Sequence, residues 1–494
     1  MPDILILHAN DNVALALRGF NTGEAITAGP EPLVVRDPIP AGHKICLTSL
    51  LPNDTIVKYG CPIGHAVCPI EPGMWVHTHN VKTNLDRPIQ YQYSPQLQPM
   101  AAKLPRMFQG YRRTDGKAGI RNELWVIPTV GCVNAIAALI AQQAQKFAPD
   151  KVEAVRAFAH SLGCGQLDED HRHTQMVLAG LVRHPNAGGV LVLGLGCERN
   201  SIEEFQKVLG VYDPERVKFL CCQQKNDEIA DSLALMEQLA ARAGQFQRRD
   251  IPVSELIVGL KCGGSDSFSG TTANPLLGRF SDRLISQGGS VLLTEVPEMF
   301  GAETLLMNRC RDQETFEKTV ALINRFKSYF ASHHRPVYEN PSPGNLEGGI
   351  TTLEEKSLGC IQKSGTSAVV DVLQYGEQIR EKGLNLLQAP GNDMVSATAL
   401  AAAGAQMVLF TTGRGTPLGS PVTTVKISTN SMLADKKSDW IDFNAGSLLE
   451  GEPMDILADR FFEYLLSVAS GRALTRTEAM GIADLTIFKT GVTT

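Results

Sequence analysis

Residues 256–269 read LIVGLKCGGSDSFS, an apolar run that ends in a polar, glycine-rich turn. The apolar part, LIVGL, is typical of a strand buried on both faces of a parallel sheet. The turn after it carries an ammonium, a thiol and a carboxylate on Lys261, Cys262 and Asp266, with hydroxyls between them. In open α/β sheets, ligands bind at the carboxyl ends of the strands. A single turn of this kind can also serve only to cap a helix. Its recurrence along the chain favours a functional site.

Strands and helices alternate from about residue 106 onward, which predicts parallel sheets with helices packed on them. Strands are predicted at 124–130, 152–159, 190–195, 217–221, 256–260 and 290–294, and within LNLLQAPGND, AQMVLFTTGRGT and TTVKIST. Helices are predicted at 227–243, 275–286 and 314–330. Residues 339–360 are predicted to form one long loop rich in glycine and proline, and loops of that length are usually functional or mobile.

Residues 1–85 differ from the rest because they contain only short predicted strands separated by turns. This region ends in Trp75-Val76-His77-Thr78-His79-Asn80. On a strand, His77 and His79 would project from the same face and could bind a divalent metal or a substrate carboxylate. The alternative is two surface histidines on an edge strand. We expect a linker over 86–105, a second domain over 106–247 and a third domain over 248–494.

The composition is typical of a soluble globular protein and argues against a nucleic-acid-binding or membrane-spanning one. The 494 residues are 43% hydrophobic and 20% charged, as in ordinary soluble proteins with a large core. A net charge of -6 argues against a nucleic-acid-binding surface. No apolar stretch is long enough to span a membrane, and the N-terminal residues lack the features of a signal peptide. We therefore expect a cytoplasmic protein.

The eleven cysteines are predicted to be reduced thiols, since their number is odd and no secretory signal accompanies them. Four of them directly follow a glycine near predicted turns: Cys132, Cys164, Cys197 and Cys360. Core packing is the ordinary role of a free cysteine. The repeated context leaves open a second role as thiolate ligands of a metal.

Two loops contain cations that could bind an acidic substrate. Arg112 and Arg121 lie in a polar loop before the strand at 124–130, and arginine can grip a carboxylate through two hydrogen bonds. Arg414 lies in Gly413-Arg414-Gly415-Thr416, a candidate anion cradle. Solvated surface cations are the alternative. No GxGxxG motif follows a predicted strand and no GxxxxGK[ST] motif occurs, so nucleotide-binding enzymes of those classes lack support.

These residue types suit the removal of a proton next to a carboxylate. Such a proton is weakly acidic, so its removal requires a positioned base and a cation that stabilises the developing negative charge. From the residues alone, a metal-dependent hydrolase or a sugar-acid isomerase is equally compatible.

The segments KYGCPIGHAV, VHTHNVKTNL, GYRRTDGKAGIRNELWVIPTVGCVN, HSLGCGQ, GLGCERN, LKCGGSDSFSG and TEVPEMFGAE together resemble the altronate/galactarate dehydratase family. The resemblance extends from about residue 3 to residue 490 and is nearer to the altronate branch, because of the chain length and the HANDN…ALALRGF opening. It implies an α/β protein in which a small N-terminal β-clip (SAF-like) domain precedes two α/β domains with mainly parallel sheets. It also implies a hydro-lyase that converts D-altronate to 2-dehydro-3-deoxy-D-gluconate and requires a divalent metal, Fe²⁺ or alternatively Mn²⁺.

The resemblance also implies roles for individual residues. Lys261 is the expected base, provided that its pKa is lowered, with His160 as the second choice. Glu198 and Asp266 would hold the metal or help the hydroxyl leave. The expected metal ligands are His77, His79 and Glu295, and the expected substrate contacts are Asn80, Arg112, Arg121, Ser265 and Arg414.

Three alternatives remain at this stage. The chain could be a galactarate dehydratase, it could resemble the sulfolactate lyases that are built from the same parts on separate chains, or it could bind a sugar acid without catalysis. In each case the partner is a small sugar acid or a related acid rather than a nucleic acid or a membrane. A homo-oligomer is compatible with the sequence.

Overall fold

The computed structural model describes residues 3–28, 32–85 and 90–492. The ranges 1–85, 106–247 and 248–494 remain predicted domain boundaries, and we use them below only as the first, second and third regions. The α/β fold class with a small β region at the N-terminus is confirmed, because antiparallel sheets come first and two parallel sheets follow.

The first region contains three small antiparallel sheets with the strand orders β1-β2-β5-β8, β3-β4 and β6-β7-β9. Its strands are β1 (Ile4–Leu5), β2 (Val13–Ala16), β3 (Ala25–Thr27), β4 (Pro32–Val34), β5 (Lys44–Cys46), β6 (Thr55–Lys58), β7 (Cys61–Ala66), β8 (Trp75–Val76) and β9 (Val81–Lys82). Glycines with positive φ mark several of its turns, as at Gly42 and Gly73. These turns keep the strands short, as the sequence predicts.

The predicted strand through His77 and His79 is wrong, because β8 ends at Val76. The side chain of Asn80 accepts a hydrogen bond from the backbone N–H of His77 (2.9 Å), and the backbone N–H of Asn80 donates to the His77 carbonyl (3.0 Å). This pattern closes a turn over residues 77–80. The alternation of side chains on a strand therefore does not apply to these two histidines.

The predicted linker, 86–105, is described only from residue 90, and residues 86–89 lie outside the described residues. Residues 90–105 contain no helix or strand and lie along the third region. Tyr91 donates a hydrogen bond to Glu303 (2.6 Å), and Tyr93 donates one to the carbonyl of Cys310 (2.9 Å). The segment is therefore extended and bound to the surface of the third region.

The second region is built around a parallel sheet of order β13-β12-β14-β15. A smaller antiparallel sheet of order β11-β10-β16 joins it to the start of the third region. The strands of these two sheets are β10 (Met107–Arg112), β11 (Ala118–Gly119), β12 (Glu123–Pro128), β13 (Ala154–Ala157), β14 (Ala187–Gly194) and β15 (Val217–Cys221), with β16 (Arg249–Pro252) from the start of the third region. The helices are α1 (Asn134–Ala144), α2 (Asp168–Val182), α3 (Ile202–Leu209) and α4 (Glu228–Ala243).

The third region contains a seven-stranded sheet of order β19-β20-β18-β17-β21-β22-β23, in which all neighbours are parallel. The strands are β17 (Ile257–Cys262), β18 (Ser290–Leu293), β19 (Val369–Leu373), β20 (Leu384–Leu387), β21 (Met407–Thr412), β22 (Thr423–Ser428) and β23 (Phe443–Asn444). The helices are α5 (Ala273–Ser286), α6 (Glu303–Met307), α7 (Gln313–Ser332), α8 (Pro343–Glu347), α9 (Leu353–Ile361), α10 (Asp393–Ala402), α11 (Ser431–Lys436), α12 (Met454–Ala469) and α13 (Arg476–Ala479).

Residues 256–269 form the central strand β17 and the turn after it. Five of the six residues of β17 are buried, as expected of a strand covered by helices on both faces. The long loop predicted at 339–360 is wrong in part, because α8 and most of α9 lie within it. Thr352 caps α9 by accepting a hydrogen bond from the backbone N–H of Glu355.

No helix among the described residues is long and apolar enough to cross a membrane.

Candidate active site at the carboxyl edge of the large sheet

Lys261 lies at the carboxyl end of β17, and its side chain is fully buried. Its ammonium donates hydrogen bonds to the carboxylates of Glu295 and Asp393, the latter at 2.7 Å, and to the carbonyl of Cys262 at 2.8 Å. Burial alone would lower the pKa of Lys261, but the two carboxylates outweigh it and raise the pKa above its ordinary value. The lowered pKa that a lysine base requires is therefore not what this environment produces.

Glu295 follows β18, the strand beside β17, so the two side chains meet at one edge of the sheet. Its backbone is in the left-handed region (φ +66°), which is uncommon for a residue with a side chain. Its second oxygen accepts hydrogen bonds from the backbone N–H of Cys262 (3.0 Å) and from Lys363 (3.2 Å). Glu295 thus holds two buried lysines and the end of the central strand together.

A buried group of two thiols and a carboxylate lies beside this ion pair. The Sγ atoms of Cys262 and Cys360 are 3.4 Å apart, and each lies 3.1 Å from Oε2 of Glu298. Cys262 ends β17, Glu298 lies in the turn after Glu295, and Cys360 lies on α9. The neighbouring thiol, burial and Glu298 together raise the pKa of the Cys360 thiol, because they disfavour a second negative charge.

Two further lysines complete this group. The ammonium of Lys356 lies 2.8 Å from Glu298, and that of Lys363 lies 2.9 Å from the sulfur of Cys262. Burial opposes the ionisation of Glu298, yet Lys356 and the other lysines outweigh it and hold the pKa of that carboxyl well below its usual range. Lys356 is likewise held in its charged form, because Glu298 raises its pKa despite burial.

The thiols and Glu298 can hold a metal ion. Cys262, Glu298 and Cys360 offer ligand atoms that all lie within 4.8 Å of one another. With both thiols protonated, the surrounding charges already cancel, since three carboxylates face three ammonium groups: Glu295, Glu298, Asp393, Lys261, Lys356 and Lys363. If both thiols were thiolates, their two negative charges would be balanced by one divalent cation. Sulfur and carboxylate ligands suit a borderline ion such as Fe²⁺, so these residues fit a divalent metal.

A cavity of about 650 Å³ opens onto this group. That volume lies in the range of small-molecule sites. Its lining includes polar or ionisable groups from five different segments, namely Cys262, Glu298, Asn340, Asn345, Lys356 and Asp393. Asp393 begins α10, and its side chain is 36% exposed although it is hydrogen-bonded to the buried Lys261. The cavity therefore presents a carboxylate held by one lysine and an ammonium held by another carboxylate.

Asp266 and Ser265 do not line this cavity. Asp266 is buried, and its oxygens accept hydrogen bonds from the backbone N–H and hydroxyl of Ser269 and from the hydroxyl of Thr429. Ser265 is buried beside it, and its carbonyl accepts a hydrogen bond from Asn345. Both residues line a small pocket behind the cavity and stabilise the turn after β17. Asp266 therefore does not cap the next helix either, because the N-cap of α5 is Thr272.

The predicted arginines are engaged in other contacts. Arg121 is buried and makes two hydrogen bonds with Glu478 (2.7 and 3.0 Å), so it is a structural ion pair. Arg112 donates to the carbonyl of Gly116 within its own loop. Arg414 is exposed and lies 2.9 Å from Glu347. None of the three is among the residues that line the cavity.

The two predicted histidine ligands of the first region lie outside the cavity lining and make other contacts. His77 donates from Nε2 to the carbonyl of Leu346 (3.0 Å), whereas His79 is exposed and its ring contacts that of Trp75 at a tilt of 52°. Asn80 uses its side chain on the turn around it. His77 nevertheless packs against the segment that follows Asn345 of the cavity wall, so the first region covers this side of the site.

His160 and Glu198 lie in the second region, at the end of its parallel sheet, and neither lines the cavity. Both ring nitrogens of His160 are used, because Nε2 donates to the carbonyl of Pro128 and Nδ1 accepts from the backbone N–H of Leu162. Glu198 accepts hydrogen bonds from Thr129 and from backbone N–H groups of its own turn. These contacts give both residues a structural role.

The sequence interpretation missed Glu298, Asp393, Lys356 and Lys363 as site residues. Glu298 is three residues from the predicted Glu295, and Asp393 follows a strand rich in apolar residues, so a signal was present for both. The two lysines had no such signal, because Lys356 lies on helix α9, which was interpreted as a loop, and Lys363 lies in the turn directly after that helix. Cys262 and Cys360 were noted only as thiols that could bind a metal, and Cys360 lies on a helix rather than at a strand end.

Family models match the chain in three consecutive segments. They describe an altronate/galactarate dehydratase SAF domain at residues 2–84, a D-galactarate dehydratase/altronate hydrolase second domain at 110–244, and a D-galactarate/altronate dehydratase C-terminal domain at 253–493.

Full-length relatives agree. The chain is 53% identical to an altronate dehydratase of Bacillus subtilis (strain 168), with 100% of both chains covered. It is 51% identical to an altronate dehydratase of Escherichia coli (strain K12), with 99% of both covered. A galactarate dehydratase (L-threo-forming) of the same E. coli strain is 33% identical over 96% of this chain and 94% of that protein.

Proposed function

The chain belongs to the altronate/galactarate dehydratase family, and on that premise we propose that it dehydrates D-altronate to 2-dehydro-3-deoxy-D-gluconate and water. The observation that carries this proposal is full-length identity of 51–53% to two altronate dehydratases, against 33% to a galactarate dehydratase. The cavity beside Glu298 and Asp393 supports it, because it brings an acid–base pair and a metal-compatible group to one small-molecule site.

We assign the removal of the C2 proton of the substrate to Asp393. Its carboxylate is partly exposed in the cavity, and Lys261 holds it in place at 2.7 Å. Lys261, which the sequence predicts as the base, is then a positioning residue, because it has no free electron pair while its ammonium is bonded to two carboxylates.

Lys356 is the cation that faces the substrate. Its ammonium is charged because of Glu298, and it lies on the cavity wall with the amide groups of Asn340 and Asn345 beside it at 3.0 and 3.1 Å. We propose that it binds the substrate carboxylate and stabilises the charge that develops there. When Asp393 takes the C2 proton, the electrons of the C2–H bond form the C2–C3 double bond, and the 3-hydroxyl leaves as water with the proton that Asp393 gives back. The resulting enol becomes the 2-keto acid.

Cys262, Cys360 and Glu298 would hold a divalent ion, which we propose to be Fe²⁺ with Mn²⁺ as the alternative. When bound, such an ion supplies Lewis-acid stabilisation of negative charge on the substrate. The deep burial of these three side chains excludes water from one side of the reacting groups.

The direct test is to incubate the purified chain with D-altronate and Fe²⁺ under reducing conditions and to measure formation of the 2-keto acid. Parallel reactions contain galactarate, sulfolactate or Mn²⁺. Turnover of D-altronate above the other substrates is expected. Higher turnover of galactarate or sulfolactate would transfer the assignment to that activity, and binding of D-altronate without turnover in any reaction would favour a non-catalytic sugar-acid-binding protein.

The double variant Cys262→Ser/Cys360→Ser tests the proposed ligands. We expect a loss of Fe²⁺-dependent turnover of about 10²-fold or more, because both thiolate ligands are removed. Unchanged metal dependence would contradict this assignment. Cys68→Ser is the control, since Cys68 is an exposed thiol of the first region.

A further inference from the structure

The parallel sheet of the second region carries three exposed thiols along one edge. Strands β13, β12 and β14 are adjacent and parallel, and the turns that follow them contain Cys164, Cys132 and Cys197, respectively. Because neighbouring parallel strands end at the same edge of a sheet, these thiols belong to one surface. None of the three lines the cavity of the proposed active site.

Backbone hydrogen bonds tie the three turns directly to one another. The N–H of Gly131 donates to the carbonyl of Leu162 (2.8 Å), which joins the Cys132 and Cys164 turns. The N–H of Asn200 donates to the carbonyl of Gly163 (3.1 Å), and its side chain donates to the carbonyl of Thr129 (3.0 Å). The Cys197 turn is therefore joined to both of the others.

The glycines before Cys132 and Cys164 are required by this close packing, and the glycine before Cys197 is favoured by its backbone conformation. A Cβ atom on Gly131 would lie 2.6 Å from the carbonyl oxygen of His160, and one on Gly163 would lie 2.1 Å from that of Thr129. Gly163 and Gly196 also have φ values of +102° and +129°, which favour glycine. The recurring Gly-Cys pair thus has a physical reason: glycine lets the turns approach, and the next residue is a thiol.

Buried side chains fix the same turns from below. Glu198 accepts hydrogen bonds from the hydroxyl of Thr129 (2.8 Å) and the backbone N–H of Leu195 (3.0 Å). Asn134 donates to the carbonyl of His160 (2.7 Å). The backbone is held rigidly while the thiols stay exposed, which is how a preorganised ligand set differs from three unrelated surface cysteines.

We propose that Cys132, Cys164 and Cys197 bind an iron–sulfur cluster and leave one iron free for a non-protein ligand. Thiolates select iron–sulfur clusters or soft ions. Neighbouring strands are about 4.8 Å apart, so three adjacent turns spread their thiols over roughly 5–10 Å. A single tetrahedral ion needs its sulfurs roughly 3.8 Å apart. Among the described residues, these thiols are absent from the groups with all ligand atoms within 4.8 Å, so the spacing fits a multi-iron cluster better.

Cluster content of the full chain, rather than activity, tests this proposal. The chain is purified without oxygen and reconstituted with Fe²⁺ and sulfide. Iron, acid-labile sulfide, visible absorption and electron paramagnetic resonance of the reduced protein are then measured. We expect roughly four sulfides per chain, with as many irons in the cluster and one further iron when the proposed active-site ion is also bound. The triple variant Cys132→Ser/Cys164→Ser/Cys197→Ser should contain at least tenfold less acid-labile sulfide than the wild type and should lack the cluster spectrum.

Two controls separate this site from other thiols. Cys61→Ser/Cys68→Ser changes thiols of the first region, and Cys262→Ser/Cys360→Ser changes the buried pair of the proposed active site. Both should retain the cluster spectrum. The single variant Cys164→Ser, checked by circular dichroism, should lose the cluster and keep the fold. A wild-type chain without acid-labile sulfide, or a cluster that survives the triple substitution, would overturn the proposal.

Discussion

At the scale of the residue, Lys261 shows how partners decide the chemistry of a buried group. Burial favours the neutral amine, but Glu295 and Asp393 both contact the ammonium and keep it charged. The sequence therefore predicts Lys261 as a base, whereas in the structure its ammonium is a cation held in place by two carboxylates.

Lys261→Met should destabilise the protein by about 3–5 kcal/mol, because it leaves buried carboxylates without their main partner. The measurement is the thermal unfolding midpoint of the wild type and the variant. Adding Glu295→Gln to Lys261→Met should restore part of the loss, since it removes one unpaired charge. The exposed Lys207, paired only with Glu204, is the control: Lys207→Met should change stability by less than about 1 kcal/mol. An equal loss in both variants would contradict the role of Lys261.

Asp393→Asn should lower kcat for the dehydration by about 10²–10⁴-fold, the range expected when a general base is removed. The amide can still accept a hydrogen bond from Lys261, so we expect little change in the thermal midpoint. Initial rates against substrate concentration measure this effect. Asp435→Asn on α11 is an exposed control with a similar change in charge. A rate within threefold of the wild type would remove Asp393 as the base.

At the scale of the element, helix α9 connects the first region to the proposed active site. Lys356 and Cys360 are four residues apart and lie on one face of the helix, toward Glu298. Glu355 faces another way and binds Lys44 of β5 and Lys58 of β6 at 2.8 and 2.7 Å. One short helix thus supplies the site and holds the β region against it.

Glu355→Gln should weaken the contact between α9 and the first region and should change how the stability of the protein depends on pH. Burial opposes the ionisation of Glu355, but Lys44 and Lys58 outweigh it and lower the pKa. Below the ordinary glutamate pKa of about 4.3, the unfolded chain then binds more protons than the folded chain. The stability from Glu355 is therefore present above about pH 4.3 and is lost as the pH falls.

Thermal midpoints from pH 3 to pH 7 check this prediction. The thermal midpoint of the wild type should exceed that of Glu355→Gln most at pH 7, and the difference between the two midpoints should shrink below about pH 4.3. Glu347→Gln is the control, because Glu347 is exposed and pairs only with the exposed Arg414. A difference that does not depend on pH would contradict the linkage.

At the scale of the whole molecule, neutral histidines lie where the regions meet. His184 of the second region donates from Nε2 to the carbonyl of Ala405 in the third (3.0 Å), while Nδ1 accepts from the backbone N–H of Asn186. His43 of the first region contacts the carbonyl of Glu347 in the third from Nε2, and its Nδ1 accepts from Trp75. Each ring has one donor and one acceptor in use, which only the neutral form provides.

Burial lowers the pKa of His184 to about 3. Between about pH 6.5 and that value the unfolded chain binds one more proton, so stability falls as the pH falls, by up to about 1.4 kcal/mol per pH unit. The thermal midpoint of His184→Gln, measured between pH 4 and pH 7, should therefore depend less on pH than that of the wild type.

His334→Asn is the control, because His334 is exposed, and its thermal midpoint should change with pH as in the wild type. If the thermal midpoint of His184→Gln changed with pH as much as that of the wild type, the prediction would be contradicted.

The sequence was sufficient to predict the fold class, the family and most strands of the two parallel sheets, because these depend on local apolar patterns and on motifs that lie within short segments. It did not predict β19 or β23 at one edge each of the large sheet. It also predicted Lys261 and Glu295 as site residues, since Lys261 lies at the carboxyl end of one buried strand and Glu295 just beyond the end of another.

Only the tertiary structure decided the proposed site itself. Glu298, Lys356, Cys360 and Asp393 are brought together from segments far apart in the chain, and no local pattern encodes that meeting. The same packing gives His160, Glu198 and Arg121 hydrogen-bond partners away from the cavity. The role of a polar side chain depends on the groups that it contacts after folding.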